Sequence, residues 1–334
     1  MGQGAYIFGC HGTRLSVQET DFFRTSDPWG FILFARNVVS GDQLRALTGD
    51  LRDAVGRDAP ILIDQEGGRV QRLGAPVWRQ WQPPLDMVQA AGADAGRAMW
   101  LRYRLIAHEL RDVGIDVNCA PMADIAGPDT HPFLANRCYG TDAGTVAEIA
   151  RSVADGLLAG GVLPVLKHIP GHGRAAHDSH LTTPVVSAGA DDLFAMDFAP
   201  FTALSDLAMG MTAHVVYDQI DASVATTSAV VIRLIRDGIG FGGLLMSDDL
   251  SMGALAGTAP ARASAALYAG CDLVLHCSGD MAEMAQIADT CGPLSTLGQM
   301  RAEAALLLRK QPDPIDIDAA EDEIHALTQG AAYV

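Results

Sequence analysis

Gly161-Val-Leu-Pro-Val-Leu166 runs directly into Lys167-His-Ile-Pro-Gly-His-Gly-Arg-Ala-Ala-His-Asp-Ser-His180. The first six residues are apolar and read as a buried strand. The fourteen that follow hold four of the chain's ten histidines, a composition no ordinary core helix or strand would have. Lys167 and His168 therefore stand at the C-terminal end of a strand, and the rest forms a loop that Gly171 and Gly173 make mobile or sharply bent. The chemistry is expected here.

The same unit recurs outward in both directions. Apolar runs of strand length fall at residues 5–9, 30–34, 60–63, 115–119, 162–166, 208–212, 243–246 and 273–275. Helical spacing lies between most of them; Val146, Ile149, Val153 and Leu157 step by three or four and end at Gly160 and Gly161. Eight uninterrupted apolar strands alternating with helices, with no G-x-G-x-x-G after the first strand, predict an α/β chain folded as a single (β/α)8 TIM-type barrel rather than an open doubly wound sheet. The barrel is expected over residues 1–310, with the acidic tail 311–334 packed on it around a short helix at 319–329. Barrel active sites sit at the C-terminal strand ends. Polar residues gather there: Asp64, Asp124, Lys167 and His168, His214, Asp248 and Asp249, and His276. Two long loops, 73–84 and 121–140, are expected to contact ligand, the first by folding over the barrel mouth.

With 49% hydrophobic residues in 334, the chain can bury a substantial core. A formal charge of −17 without clustered Lys or Arg argues against nucleic-acid binding. No window approaches about 18 uninterrupted apolar residues and no leader segment is evident, so a membrane association is not expected. The six cysteines are scattered without CxxC pairs, which fits a reducing cytoplasm.

Asp248 is the first candidate catalyst, because a carboxylate ending a buried strand is held rigidly, as a nucleophile must be. Helix capping by Asp248 or Asp249 competes with that reading, and the alternation of an extended chain allows only one of the two to face the site. In Asp178-Ser-His180 the carboxylate and imidazole lie two apart on one side of an extended segment. Asp178 could hold one ring nitrogen while the other moves a proton, or both could simply lock a turn. Asp64, opening the run Asp64-Gln-Glu-Gly-Gly-Arg-Val-Gln-Arg72, could accept from vicinal hydroxyls. Arg137 and Lys167 could donate to hydroxyls, or the charges could merely pair across the mouth. The loop histidines also supply metal-ligand types, although Lys167 beside His168 places a positive charge at the centre.

Taken together, Lys167-His-x-Pro-Gly-His-Gly173, Asp178-Ser-His180, Ser247-Asp-Asp-Leu250, Asp64-x-Glu-Gly-Gly-Arg69 and Gly114-Ile-Asp-Val-Asn-x-Ala-Pro121 resemble glycoside hydrolase family 3. More closely, they are similar to its single-domain bacterial β-N-acetylglucosaminidases of peptidoglycan recycling. The resemblance covers residues 5–310. It implies that Asp248 is the nucleophile of a retaining mechanism, that His180 backed by Asp178 is the general acid and base, and that Asp64, Arg72, Arg137, Lys167 and His168 bind the terminal sugar. It also implies an exo-acting, monomeric, cytoplasmic enzyme that needs no metal or cofactor. Its partner would be a small carbohydrate, the terminal GlcNAc of GlcNAc-1,6-anhydro-MurNAc peptides, with the 171–180 loop closing to deliver His180. A metal-dependent barrel hydrolase and a phosphorolytic variant remain the alternatives. Ile169, Arg174 and Gln65 depart from the commonest family pattern; Arg174 is expected to favour an anionic aglycone.

Overall fold

The computed structural model describes residues 3–334 apart from 178 and 180. Eleven strands occur among them: β1 (Gly4–Gly9), β2 (Pro28–Leu33), β3 (Ile61–Ile63), β4 (Val117–Asn118), β5 (Leu163–Pro164), β6 (Leu166–Ile169), β7 (Val185–Val186), β8 (Met209–Thr212), β9 (Val216–Tyr217), β10 (Leu244–Asp249) and β11 (Leu273–His276). Nine form one parallel sheet in the order β5-β4-β3-β2-β1-β11-β10-β8-β6. Its two ends, β5 and β6, are a single run of chain broken only at Val165, whose N–H is shared between the Asn118 and Ala120 carbonyls. A parallel bridge from Met122, in the segment beyond β4, to Lys167 of β6 continues the contact on that side. The sheet is thus a nearly closed barrel, and the expected (β/α)8 TIM-type fold is what the chain adopts.

The hydrophobic pattern accounts for the closure. Strands covered on both faces must be apolar at every position, and here the two faces fill separate cores. Ile7, Trp29, Ile32, Leu62, Val117, Leu163, Val165, Met209, Met211, Leu244, Met246, Leu273 and Leu275 pack inside the barrel. Tyr6, Phe8, Phe31, Ile61, Ile63, Leu166, Leu245 and Val274 face the helices. The helices begin and end on recognisable signals. Ser16 and Glu19 make a reciprocal capping box for Val17–Ser26, and Gly56 closes Gly41–Val55 in the left-handed region. The helix expected around residues 146–157 spans Ala143–Ala159, with Val146, Ile149, Val153 and Leu157 all buried. It lies close on helix Ala95–Asp112, where a Cβ on Gly156 would sit 2.5 Å from the Trp100 carbonyl oxygen.

Two expectations change. The 73–84 loop does not cover the mouth. Its Trp81 is fully buried against Tyr333 (ring centroids 4.8 Å apart), and Gln82 donates from its backbone N–H to the Ala332 carbonyl and from Nε2 to the Tyr333 carbonyl. The chain end thereby braces the loop from the flank, while helix Ile317–Leu327 packs on helix Ala95–Asp112. Beyond the barrel, β7 and β9 form a two-stranded parallel pair that the sequence pattern did not predict. No helix among the described residues is long and apolar enough to cross a membrane.

Candidate active site

Strand alternation decides which side chains enter the barrel mouth. Leu62, Val165 and Met246 point inward, so the next inward positions, two residues on, are Asp64, Lys167 and Asp248. All three line one pocket at the C-terminal ends of the strands. Its wall continues through Arg72, Arg137 and His168, and its apolar rim includes Phe34, Phe133 and Met252.

A chain of ion pairs holds one side of this pocket. Lys167 Nζ lies 3.0 Å from Asp64 Oδ1 and 2.6 Å from Glu66 Oε1. Arg137 donates from Nε and Nη2 to the two oxygens of Glu66, at 2.9 and 2.8 Å, and Arg72 Nη2 donates to Asp64 Oδ2 at 3.1 Å. Burial alone would raise the carboxyls and lower Lys167. The opposite charges win: Glu66 falls to about 2, Asp64 falls well below the usual carboxylate range, and Lys167 and Arg137 rise. Asp64, Glu66, Lys167 and Arg137 are therefore ionised at neutral pH. The expected pairing of charges across the mouth occurs, yet the lysine keeps one of its three N–H donors, and Arg137 keeps the N–H groups of Nη1, beyond these contacts.

Glu66 is the member that sequence reasoning passed over, although it lies inside the Asp64–Arg72 run. It is 1% exposed, and its own main-chain carbonyl receives Arg102 Nη2 and, at 3.3 Å, the Tyr103 hydroxyl. Gly67 permits this approach. It has φ of +107°, and a Cβ there would run into the Arg102 guanidinium.

On the opposite side, the Asp248–Asp249 pair separates into two roles. Asp249 is consumed by its own turn: Oδ1 accepts the Ser251 and Cys277 N–H groups at 3.0 and 3.1 Å, and Oδ2 accepts the Ser251 hydroxyl at 2.5 Å. Asp248 accepts only the Asp249 N–H, at 2.8 Å on Oδ1, which leaves Oδ2 without a partner among the described residues. A register shift between β10 and β11 at this point marks a bulge in β10, and such bulges commonly re-aim a side chain beside an active site. Burial opposes ionisation of Asp248, but His214, His168, the Asp249 N–H and Lys167 together outweigh it and lower its pKa.

His168, His172 and His214 are each held by hydrogen bonds around the pocket. His168 Nδ1 meets Asp124 Oδ2 at 2.6 Å, and the His172 backbone N–H meets Asp124 Oδ1 at 2.6 Å, so Asp124 anchors the start of the loop without lining the pocket. His214 is fully buried between Thr226 Oγ1 (2.7 Å) and the Asp249 carbonyl (3.0 Å). His276 turns outward to Ser278 and Glu283 and leaves the pocket. Asp178 and His180 lie outside the described residues. The loop glycines are closely packed: a Cβ on Gly173 would collide with the Ile125 carbonyl, and Tyr217 donates to the Gly171 carbonyl. Arg174 is absent from the pocket wall and pairs with Asp197 at 2.7 Å in a neighbouring groove, which removes the basis for its expected role in aglycone choice. Among the described residues no three His, Cys, Asp or Glu side chains form a metal-holding group.

An ionised carboxylate with one oxygen uncommitted among the described residues, facing a lattice of fixed donors and acceptors, is suited to attack on a polyhydroxylated substrate. Residues 25–305 match the profile of the glycosyl hydrolase family 3 N-terminal domain. A β-hexosaminidase from Methylococcus capsulatus is 36% identical, the alignment covering 97% of this chain and 100% of that protein. One from Alkalilimnicola ehrlichii is 39% identical over 82% and 81% of the two chains. Among solved structures, native NagZ from Neisseria gonorrhoeae superposes with a TM-score of 0.86 at 29% identity, covering 100% of this chain and 99% of its own. A family 3 β-N-acetylglucosaminidase from Paenibacillus sp. gives 0.87 at 26% identity, covering 98% of this chain and 67% of its own.

Proposed function

The chain belongs to glycosyl hydrolase family 3, and on that premise we propose that it is an exo-acting, retaining β-N-acetylglucosaminidase. That it is a glycoside hydrolase follows from the family. The choice of N-acetylhexosamine rests on the names of its relatives, β-hexosaminidases by sequence and β-N-acetylglucosaminidases by structure. The natural substrate in this reading is GlcNAc-1,6-anhydro-MurNAc bearing peptide, met by a monomeric enzyme in the cytoplasm. Six free cysteines, five of them buried, are compatible with that compartment.

The observation that carries the mechanism is Asp248: ionised, seated on a rigid strand end, with Oδ2 uncommitted among the described residues. In the proposed first step Asp248 attacks the anomeric carbon while His180, backed by Asp178, protonates the departing oxygen. In the second, His180 takes a proton from water, which displaces the carboxylate. Asp64, Arg72, Arg137, Lys167 and His168 would hold the sugar hydroxyls. Their pairing with one another and with Glu66 and Asp124 fixes them before substrate arrives, so little ordering is needed on binding.

Nitrophenyl β-N-acetylglucosaminide and β-glucoside, compared at neutral pH in EDTA, test the reading. Cleavage of the acetamido sugar alone is expected, with the β-anomer as the first-formed product by NMR. Activity that returns only with added divalent metal would favour the metal-dependent alternative. GlcNAc-1-phosphate formed in phosphate buffer would identify phosphorolysis. Asp248→Ala should abolish turnover while still binding GlcNAc, and substantial residual activity would sink the nucleophile assignment.

A further inference from the structure

His172 lies at the pocket wall, 5% exposed, yet has no part in the bond cleavage proposed above. Its ring packs edge-on against His168 with centroids 5.6 Å apart, and its Nδ1 has no hydrogen-bond partner among the described residues. Burial and the neighbouring His168 hold the imidazole down to about 4, so it is neutral near pH 7. The other nitrogen, Nε2, lies 3.3 Å from the hydroxyl of Ser179.

Ser179 is the residue between Asp178 and His180 in the chain. It is itself 5% exposed, and its carbonyl accepts the Ala254 N–H at 3.1 Å. Ala254 belongs to the turn that follows Asp248 on β10, and its own carbonyl accepts the Thr183 hydroxyl at 2.7 Å. One buried serine is therefore pinned on two sides, to the base of its own loop through His172 and to the nucleophile's loop through Ala254. The base of that loop is fixed in turn by Asp124 at the His172 N–H and by the close packing of Gly173 on Ile125.

We propose that His172 is a positioning residue for proton transfer: through Ser179 it sets the register of the Asp178–His180 pair relative to Asp248. The proposal rests on the reading of His180 as the general acid and base. It differs from a packing role in which step it serves. A misplaced acid slows departure of a leaving group that needs a proton and leaves departure of an activated one nearly untouched.

The test compares kcat/KM for phenyl and 2,4-dinitrophenyl β-N-acetylglucosaminides in the full chain carrying His172→Phe, His172→Gln, Ser179→Ala, the His172→Phe/Ser179→Ala pair, or His180→Ala. General acid catalysis as a whole contributes roughly 10²–10⁴-fold. Loosening the acid should therefore cost the phenyl substrate about tenfold or more and the dinitrophenyl substrate less than about threefold. The double variant should be no worse than the poorer single one, since both cut the same tie, and His172→Gln should recover part of the loss because its amide can still meet Ser179. An equal fall for both substrates, or additive losses, would reduce His172 to packing and overturn the proposal. If His172→Phe fails to fold, Ser179→Ala carries the same comparison alone. His180→Ala is the reference: if it shows the leaving-group dependence and the His172 and Ser179 variants do not, this proposal fails by itself. If it shows none, the acid/base assignment fails and takes the proposal with it.

Discussion

Replacing Glu66 with Gln should be among the most damaging single-atom changes this site can suffer. The carboxylate is 1% exposed and receives three charged donors, two from Arg137 and one from Lys167. An amide offers one acceptor oxygen, so its NH2 must face a guanidinium or an ammonium group whichever way it is turned. The five side chains Asp64, Glu66, Arg72, Arg137 and Lys167 carry two negative and three positive charges; the variant carries one and three. Breaking a buried pair from one side costs about 3–5 kcal/mol. Proton linkage gives a similar figure, since a carboxyl at 4.5 in the unfolded chain and about 2 in the folded one contributes roughly 3 kcal/mol at neutral pH. For 334 residues the unfolding entropy is about 0.7 kcal/mol/K, so the melting temperature should fall by about 4–7 °C. KM for the nitrophenyl sugar should rise as Arg137 and Lys167 lose their fixed geometry. The sign of the pH dependence is determined as well. A depressed carboxyl stabilises fully above its unfolded pKa and loses that contribution as pH falls through the folded value. The difference between wild type and variant should therefore shrink between about pH 4.5 and 2. Thermal unfolding followed by circular dichroism at several pH values measures this. A shift below about 1 °C at neutral pH, or a gap that widens on acidification, would refute the reasoning.

Other consequences are equally direct. The depressed carboxyl of Asp248 should place the acid limb of kcat/KM below the ordinary aspartate range, and a midpoint above that range would show that burial dominates over His214 and His168. Gly67→Ala forces a left-handed conformation on a side chain and a collision with Arg102. With a backbone penalty of about 1–3 kcal/mol it should lower the melting temperature by roughly 2–4 °C and raise KM, and a neutral result would remove the need for glycine there. Deleting residues 330–334 removes the Tyr333–Trp81 contact and the bonds to Gln80 and Gln82. Stability should drop and KM rise together, because Trp81 and Gln82 hold Gly68 and Arg102; unchanged KM would mean that the brace does not reach the site.

The barrel was legible because its rule is simple: strands buried on both faces are apolar throughout, and eight such runs stand out between helices. What alternation could not show is where a strand breaks. Nothing in Gly161 to Leu166 marks Val165 as the residue at which the barrel closes, since that depends on two carbonyls from residues 118 and 120. The pair β7–β9 was missed because two-residue strands leave no period to read. At the site, residue type identified Asp64, Lys167 and Asp248, and the inward phase of Leu62, Val165 and Met246 explains why they converge. Glu66 escaped because its role lies in its partners, which are 71 and 101 positions away in sequence. Arg174 misled for the same reason: its charge was visible and Asp197 was not.

The two halves of the proposed reaction thus rest on different kinds of support. The proposed nucleophile Asp248 and two of the proposed sugar-binding groups, Asp64 and Lys167, occupy the first inward position beyond the apolar floor of the barrel, so their spacing is inherited from hydrogen-bonded strands that cannot slip by one residue without turning inside out. The proposed acid and base, Asp178 and His180, flank Ser179 in sequence, and Ser179 is held by individual ties rather than by a strand ladder. Asp124, His172 and the Ala254 N–H supply those ties. Substitutions in the strands should therefore be felt first in binding and stability, and substitutions among the ties first in the transfer of a proton.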